Sequence, residues 1–124
     1  MLYSLKSESY MADVPHRNNY DIWRGRLSDA EFNAVYDELN SRVERSNIET
    51  SSWIPGSDWD GTVFQPILEV ACQNDADAAG RFFGLILWQV LLDHDRVWAF
   101  DRYEKDGVPI RGMTYFSLDN PPPL

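Results

Sequence analysis

The sequence that decides the fold is N-D-A-D-A-A-G-R-F-F-G-L-I-L-W-Q-V-L-L-D, residues 74–93. Asparagine or aspartate at its start can cap a helix, and the apolar residues that follow cover every side of that helix. A helix of this kind has to be buried. Its apolar run, Phe82–Leu92, is interrupted by Gly84 and Gln89 and is shorter than the roughly 20 residues that cross a bilayer. We therefore predict a buried central helix and no membrane partner.

Another helix is predicted upstream, beginning at the capping box Ser28-Asp29-Ala30-Glu31, in which serine and glutamate satisfy each other's free backbone amides. Apolar residues then recur at helical spacing and form one stripe, made of Phe32, Val35, Tyr36, Leu39 and Val43. Asp37, Glu38 and Glu44 lie off this stripe. We expect these three acidic residues on the exposed surface.

The segment between these helices predicts a short strand and a further helix. Residues 48–54 alternate weakly between apolar and polar and precede a Pro-Gly turn, which is typical of a short strand. Thr62-x-x-Gln65 then repeats the capping pattern, and Pro66 lies in the first turn, where its missing N–H costs little. We predict a helix from about Thr62 to about Gln73.

The C-terminal part predicts a β-hairpin with strands at 97–103 and 108–116. A two-residue loop would place two arginines opposite each other, whereas a three-residue loop at 105–107 places Asp101 opposite Arg111. Because opposite charges directly across a ladder stabilise it and like charges do not, we predict the three-residue loop.

Both faces of this hairpin are apolar. In the predicted register Trp98 and Phe100 share one face, while Ala99 and Tyr115 share the other. Both faces therefore need a cover, either from the same chain or from a partner.

Together these elements predict an α+β fold of about three helices. The central buried helix packs on a small antiparallel sheet that is built on the C-terminal hairpin. Residues 1–26 are rich in polar turn formers and follow neither apolar period, so we predict an irregular N-terminal arm held to the domain by Tyr20, Ile22 and Trp23. Residues 119–124 predict an extended proline-rich tail.

With 124 residues, of which 44% are hydrophobic, the chain can bury one core, and we predict a single domain over residues 1–124. Cys72 is the only cysteine, so no internal disulfide can form, and inside a helix we expect it to be buried and unreactive. Lys6 and Glu8 lie where a signal peptide needs an apolar run. We expect a cytoplasmic location.

The formal net charge is −9, and residues 27–124 contain 17 acidic and seven basic side chains. Such an acidic body repels nucleic-acid phosphates and anionic membranes, and it speeds the encounter with a basic protein. The alternative is that the acidity only keeps an aromatic-rich protein soluble. We predict a basic protein partner and no direct contact with nucleic acid.

One loop combines aromatic and acidic residues, S-S-W-I-P-G-S-D-W-D-G-T-V-F at 51–64. Trp53 and Trp59 either fill part of the core or form a surface that a partner covers. Asp58 and Asp60 resemble paired carboxylates that hold a divalent ion, but aspartates in loops commonly close turns by accepting from nearby backbone amides. The motif is short, so no metal and no other cofactor is predicted.

Asp93-His94-Asp95 places a histidine between two acids at the end of the central helix, where the acids and the helix C-terminus favour the imidazolium form. A general base can use such a site, whereas a histidine here more often caps the free carbonyls. Two histidines and one cysteine, none at ligand spacing, argue against a zinc site. The common nucleophile, phosphate-loop and dinucleotide motifs are missing from the sequence, and we predict that the chain is not an enzyme.

Three functions remain. The first is a small acidic protein–protein interaction module, in its sharpest form an inhibitor or immunity protein that binds a basic surface of a nucleic-acid-handling partner. Its predicted contact residues are acids and tryptophans, namely Asp37, Glu38, Glu44, Trp53, Asp58, Trp59 and Asp60. The second is a small-molecule-binding protein or small enzyme, with a pocket between hairpin and central helix lined by His94, Trp98, Arg102 and Tyr103. The third is a homo-oligomeric structural protein in which a symmetry mate covers the hairpin.

Overall fold

A computed structural model describes residues 1–46, 48–50, 59, 61–101, 104–105, 108–109 and 114–123. The helices are α1 (Arg17–Arg26), α2 (Asp29–Glu44), a π-helix (Ile67–Ala71) and α3 (Ala76–Asp93). The strands are β1 (Leu2–Ser4), β2 (Ser9–Tyr10), β3 (Ile48–Thr50), β4 (Trp98–Asp101), β5 (Glu104–Lys105), β6 (Val108–Pro109) and β7 (Thr114–Ser117). The predicted α+β fold is confirmed.

Helix α3 is the buried centre of the fold, as predicted. It begins where the Asp75 carboxylate accepts hydrogen bonds from the backbone amides of Asp77 and Ala78, both at 3.1 Å. Phe82 and Phe83 in its first half are fully buried, and its second half is buried between α2 and the sheet. Nine of its 18 residues are buried, and burial of their apolar surface stabilises the fold.

The main sheet has five strands in the order β2-β1-β4-β7-β3. Strand β1 runs parallel to β4, and the other neighbours are antiparallel. The sheet is therefore mixed, and the prediction of an antiparallel sheet is wrong in this respect. The reason is a non-local pairing, since the Trp98 amide donates to the Met1 carbonyl at 2.8 Å and the Leu5 amide donates to the Phe100 carbonyl at 3.2 Å.

The predicted hairpin register is also wrong. Lys105 pairs with Val108, so the loop contains two residues rather than three, and Asp101 pairs with Thr114 rather than Arg111. The register shifts by two residues between the β5–β6 pairing and the β4–β7 pairing. Two residues separate β4 from β5, whereas four residues separate β6 from β7.

Aromatic packing explains this register. Phe100 lies directly opposite Tyr115, and the Trp88 ring of α3 contacts both rings, at centroid distances of 4.9 Å and 6.5 Å. Tyr115 therefore shares a face with Phe100, and not with Ala99 as predicted. Burial of aromatic rings contributes on the order of kilocalories per mole to the stability of a fold. One exposed ion pair across strands contributes only about 0.2–1 kcal/mol, so aromatic packing decides the register.

The prediction of an irregular N-terminal arm is wrong for much of residues 1–26, because this segment contains β1, β2 and α1. Helix α1 is short, and tertiary contacts rather than intrinsic propensity stabilise it. The rings of Tyr20 and Trp23 lie 5.9 Å and 5.6 Å from the ring of Phe82. Ile22, which was expected to join them, is 55% exposed.

Helix α2 confirms the capping box and the apolar stripe. The Ser28 hydroxyl accepts from the Glu31 amide at 3.1 Å, and the Glu31 carboxylate accepts from the Ser28 amide at 2.9 Å. Val35, Leu39 and Val43 are fully buried. The strand predicted after α2 is confirmed over Ile48–Thr50, and the rest of that prediction lies outside the described residues.

The helix predicted from Thr62 to Gln73 is replaced by the short π-helix. Its wider turn is closed by the Cys72 amide, which donates to the Ile67 carbonyl at 3.0 Å. It cannot continue, because Gln73 and Asn74 have positive φ angles of 53° and 67°. The Gln65 side chain accepts from the amide of Gly61 rather than from that of Thr62, so the predicted capping box is displaced by one residue.

Within the part of the chain that the structure describes, no helix combines the length and apolarity needed to cross a membrane. The proline-rich tail is tied to β2, since the Tyr10 hydroxyl donates to the Pro122 carbonyl.

Candidate functional site

Three exposed carboxylates lie at or just after the ends of α2 and α3, namely Glu44, Asp93 and Asp95, and a fourth, Asp37, lies in the middle of α2 next to Tyr36; we call these four the acidic patch. Helices α2 and α3 pack against each other, and two side-chain contacts join α2 to the end of α3. The Tyr36 hydroxyl donates to Asp93 Oδ2 at 2.7 Å, and His94 Nε2 lies 3.0 Å from Glu44 Oε1. The fold therefore brings carboxylates together that are far apart in the sequence.

Two acids of the patch lie at helix C-termini. Glu44 is the last residue of α2 and Asp93 is the last residue of α3. A helix C-terminus carries a partial negative charge, so a carboxylate there is unfavourable for the helix. Neither acid therefore stabilises its own helix.

Two cations satisfy the backbone carbonyls at these helix ends. The Arg96 guanidinium donates to the carbonyls of Val43 and Ser46 at 2.6 Å and 3.0 Å. The Met1 ammonium donates to the carbonyls of Leu91, His94 and Arg96. Among the described residues, no lysine or arginine forms an ion pair with any carboxylate of the acidic patch.

His94 is buried beneath the acidic patch, with only 7% of its surface exposed. Its Nδ1 accepts a hydrogen bond from the Arg96 amide at 3.1 Å, so in this arrangement the ring is neutral and its proton is on Nε2. The Nε2–H lies close to Glu44 but is not aligned with it, and it has no regular hydrogen-bond partner among the described residues. The prediction that the His94 side chain caps free carbonyls is wrong for the described residues, because the Met1 ammonium donates to the carbonyls of Leu91 and His94.

The phenol of Tyr36 is a hydrogen-bond donor and not a nucleophile. Burial raises its pKa well above the ordinary value, and the bond to Asp93 raises it further. Asp93 also accepts from the Gln89 side chain at 3.0 Å. The acidic patch can accept hydrogen bonds and attract cations, but these groups supply no nucleophile near neutral pH.

The structure divides the predicted partner-binding residues. Asp37 and Glu44 belong to the acidic patch, whereas Glu38 is ion-paired with Arg42 at 3.0 Å. Arg42 in turn lies over the Phe64 ring, 5.8 Å from its centroid, on a different side of α2. Trp53, Asp58 and Asp60 lie outside the described residues.

Trp59 is partly buried and packs against the core. Its ring lies edge-on to that of Phe83, with centroids 6.0 Å apart, and Phe64 contacts the same ring at 5.3 Å. The sequence left open whether Trp59 fills part of the core or forms a surface that a partner covers. These ring contacts place it against the core.

The predicted small-molecule pocket is not open at its described residues. Trp98 has no exposed surface, and the His94 ring packs edge-on against it at 6.4 Å. Arg102 and Tyr103 lie outside the described residues. Across the described ranges, no three His, Cys, Asp or Glu side chains are grouped to hold a metal ion.

Sequence reasoning treated Asp93 and Asp95 only as neighbours of a histidine and not as surface charge. The sequence did contain a signal for this surface charge, because both acids lie at the end of a predicted helix, where an acidic residue is unfavourable for helix stability. The contribution of Glu44 to the same surface depends on the packing of α2 on α3, which no local pattern indicates.

No protein-family model, curated protein or solved structure matches this chain. The functional inference therefore depends on the chemistry of the described residues.

Proposed function

We propose that this protein is a non-enzymatic interaction module whose acidic patch docks on a basic surface of another protein. The strongest support for this proposal is the way in which the described basic side chains are paired. Six of the eight lysine and arginine side chains that the structure describes are engaged within the chain, and none of the eight forms an ion pair with a carboxylate of the acidic patch.

The engaged arginines fall into two groups. Arg17, Arg24, Arg42 and Arg81 pair with carboxylates of the same chain at 2.7–3.1 Å. Arg26 donates to the Ala71 carbonyl at 2.7 Å, and Arg96 donates to carbonyls at the end of α2. A partner that approaches the acidic patch therefore meets its carboxylates, with Arg45 exposed beside Glu44 at the edge.

An acidic surface of this kind increases the rate of encounter with a basic protein and selects against acidic ones. Proteins that handle nucleic acids present basic surfaces to phosphates, and carboxylates compete for the same arginine and lysine groups. Inhibition of such a protein is the sharpest form of the proposal.

The test is a pull-down from the source lysate with the tagged chain as bait, at about 0.05 M and about 0.5 M salt, where screening lengths differ severalfold. The variant bait is D37N/D95N, which removes two charges from side chains that form no hydrogen bond or ion pair with the described residues. The matched control bait is E8Q/D119N, which removes two charges from the β1–β2 turn and the tail. Mass spectrometry identifies the captured proteins.

The proposal expects a basic protein at stoichiometric yield that is lost at high salt, lost with D37N/D95N and kept with E8Q/D119N. A bait that captures no basic protein at either salt concentration contradicts it. Equal loss with both variants would show that net charge, and not the acidic patch, governs the interaction.

A further inference from the structure

We infer that Glu44, whose carboxylate lies beside the buried Nε2–H of His94, is the anchor of the acidic patch and accepts the guanidinium group of an arginine from the partner. This inference rests on the proposed function and deepens it, because it names the residue that binds and the chemistry that it binds.

The position of His94 is fixed from three sides. Its Nδ1 accepts from the Arg96 amide, its ring packs edge-on against buried Trp98, and its own carbonyl accepts from the Met1 ammonium. The only carboxylate that approaches Nε2 among the described residues is that of Glu44, at 3.0 Å. Because a buried N–H without an acceptor is unfavourable, this group draws the Glu44 carboxylate towards itself.

The backbone that carries Glu44 is fixed as well. Arg96 donates to the carbonyl of Val43, just before Glu44, and to that of Ser46, two residues after it. Arg96 follows His94 closely in the same connection from α3 to β4, and its guanidinium lies over the Trp98 ring at 5.1 Å. One short segment therefore orients both the backbone and the side chain of Glu44.

The other exposed acids differ from Glu44. Glu38 is neutralised by Arg42, and the two oxygens of Asp93 accept from Tyr36 and Gln89. Asp37 and Asp95 have no side-chain contact with described residues that would fix their rotamers. Among the described acids, Glu44 combines a side chain that is 60% exposed with the close approach of a buried donor, His94 Nε2, and a side chain with a favoured position loses less entropy on binding.

Guanidinium is the cation that fits best. Each carboxylate oxygen has two lone pairs, so the approach of Nε2 to Oε1 leaves both oxygens able to accept. Two parallel N–H bonds from an arginine match that geometry, whereas a lysine ammonium cannot form them. Asp93 and Asp95, on either side of His94, add attraction without a fixed geometry.

The experiment measures binding of a fluorescein-labelled arginine-rich peptide by anisotropy, with a lysine peptide of equal charge as a second probe. We expect E44Q to weaken binding of the arginine peptide about tenfold, as loss of an anchor does, and E8Q to weaken it less than about twofold, as a distant exposed charge does. The lysine peptide should bind more weakly than the arginine peptide and respond less to E44Q.

A double-mutant cycle tests the positioning role of His94. H94N keeps an acceptor for the Arg96 amide but loses the donor at the Nε2 position, while H94Q places an amide donor near that position. We expect H94N to weaken binding when Glu44 is present, H94Q to restore part of it, and H94N to have no further effect in E44Q. Circular dichroism confirms that each variant is folded.

The outcomes separate the two proposals. No binding of either peptide by the unaltered chain contradicts both the proposed function and this inference. Equal loss with E44Q and E8Q overturns the anchor but leaves an acidic interaction module. An additive effect of H94N in E44Q overturns the positioning role, and equal affinity for both peptides overturns the assignment of guanidinium.

Discussion

Single residues with local partners behave as their sequence context indicates. Asp75 and Ser28 begin helices because their side chains reach backbone amides only two or three residues away, and such bonds can be predicted without a fold. His94 is the opposite case. Its sequence neighbours are two aspartates, yet its ring contacts Glu44, Arg96 and Trp98, which no local pattern indicates.

The thiol of Cys72 should be unreactive in the folded protein. Burial, with Asp75 adding to it, raises the pKa of this thiol to about 11, and the thiolate is the reactive form. We expect no measurable reaction with a disulfide reagent at about pH 8 in native buffer and complete reaction in urea, since an unfolded cysteine has a pKa near 8.5. Rapid labelling of the native chain would contradict the buried position.

Trp59 should contribute to stability through Phe83. We expect W59A to lower the free energy of unfolding by about 2 kcal/mol, less than the loss for a fully buried tryptophan. Urea unfolding of W59A and of V63A, whose side chain is exposed, gives the comparison. A change for W59A as small as that for V63A would mean that the loop tryptophan does not pack on the core.

Elements that depend on one stretch of sequence were predicted, and elements that depend on distant pairing were not. The stripe of α2 and the all-round apolar character of α3 follow from helical periodicity. Strand β1 is too short to be recognised alone, and it exists because Leu2–Ser4 pairs with Trp98–Phe100. The hairpin register was wrong for a related reason, since Trp88 of another element selects it.

The capping box of α2 provides a test at this scale. We expect S28A to lower the free energy of unfolding by about 1 kcal/mol, because the Glu31 amide loses its acceptor. S41A, the same change at an exposed position inside α2, should be neutral or slightly stabilising, since alanine favours helix. If S28A matches S41A in urea unfolding, the capping bonds contribute nothing.

For the whole molecule, composition predicts the charge, and folding determines where that charge is unbalanced. A net charge of −9 is visible in the sequence, and so is the i,i+4 spacing of most arginine–acid pairs. The packing of α2 on the end of α3, which brings the acids of the patch together, is not visible in the sequence.

Stability should fall in alkaline solution. Burial raises the pKa of Cys72, Tyr20 and Tyr36 in the fold, so the unfolded chain releases these protons at lower pH than the folded one. Their contribution is complete below about pH 8.5 and is lost as pH rises towards the folded values. Urea unfolding between about pH 8 and pH 11 should show this loss, with a shallower slope for Y36F. Identical slopes would contradict it.

Cover of the sheet by the same chain favours a monomer. Ala99 has no exposed surface and Tyr3 only 9% in a single chain, so these positions need no symmetry mate. We expect sedimentation equilibrium to give the mass of one chain, 14.4 kDa. A dimer mass at micromolar concentration would instead favour the homo-oligomeric alternative.

Arg45 follows Glu44 and is exposed at the edge of the acidic patch. A cation there repels a basic partner, so R45Q should tighten binding of the arginine peptide by about twofold to fivefold at low salt, mainly through the association rate. K6Q, which removes a charge from the β1–β2 turn, is the matched control. Weaker binding with R45Q would place Arg45 inside the contact rather than at its edge.

The most direct measurement of the central claim is an NMR titration of the labelled chain with the arginine peptide, which shows where the cation binds. We expect the largest amide shift changes at Glu44–Ser46 and Asp93–Arg96, where α2 and α3 end. Changes concentrated at Gly61–Ala71, or spread evenly over all acidic residues, would contradict the claim that the acidic patch is the docking surface.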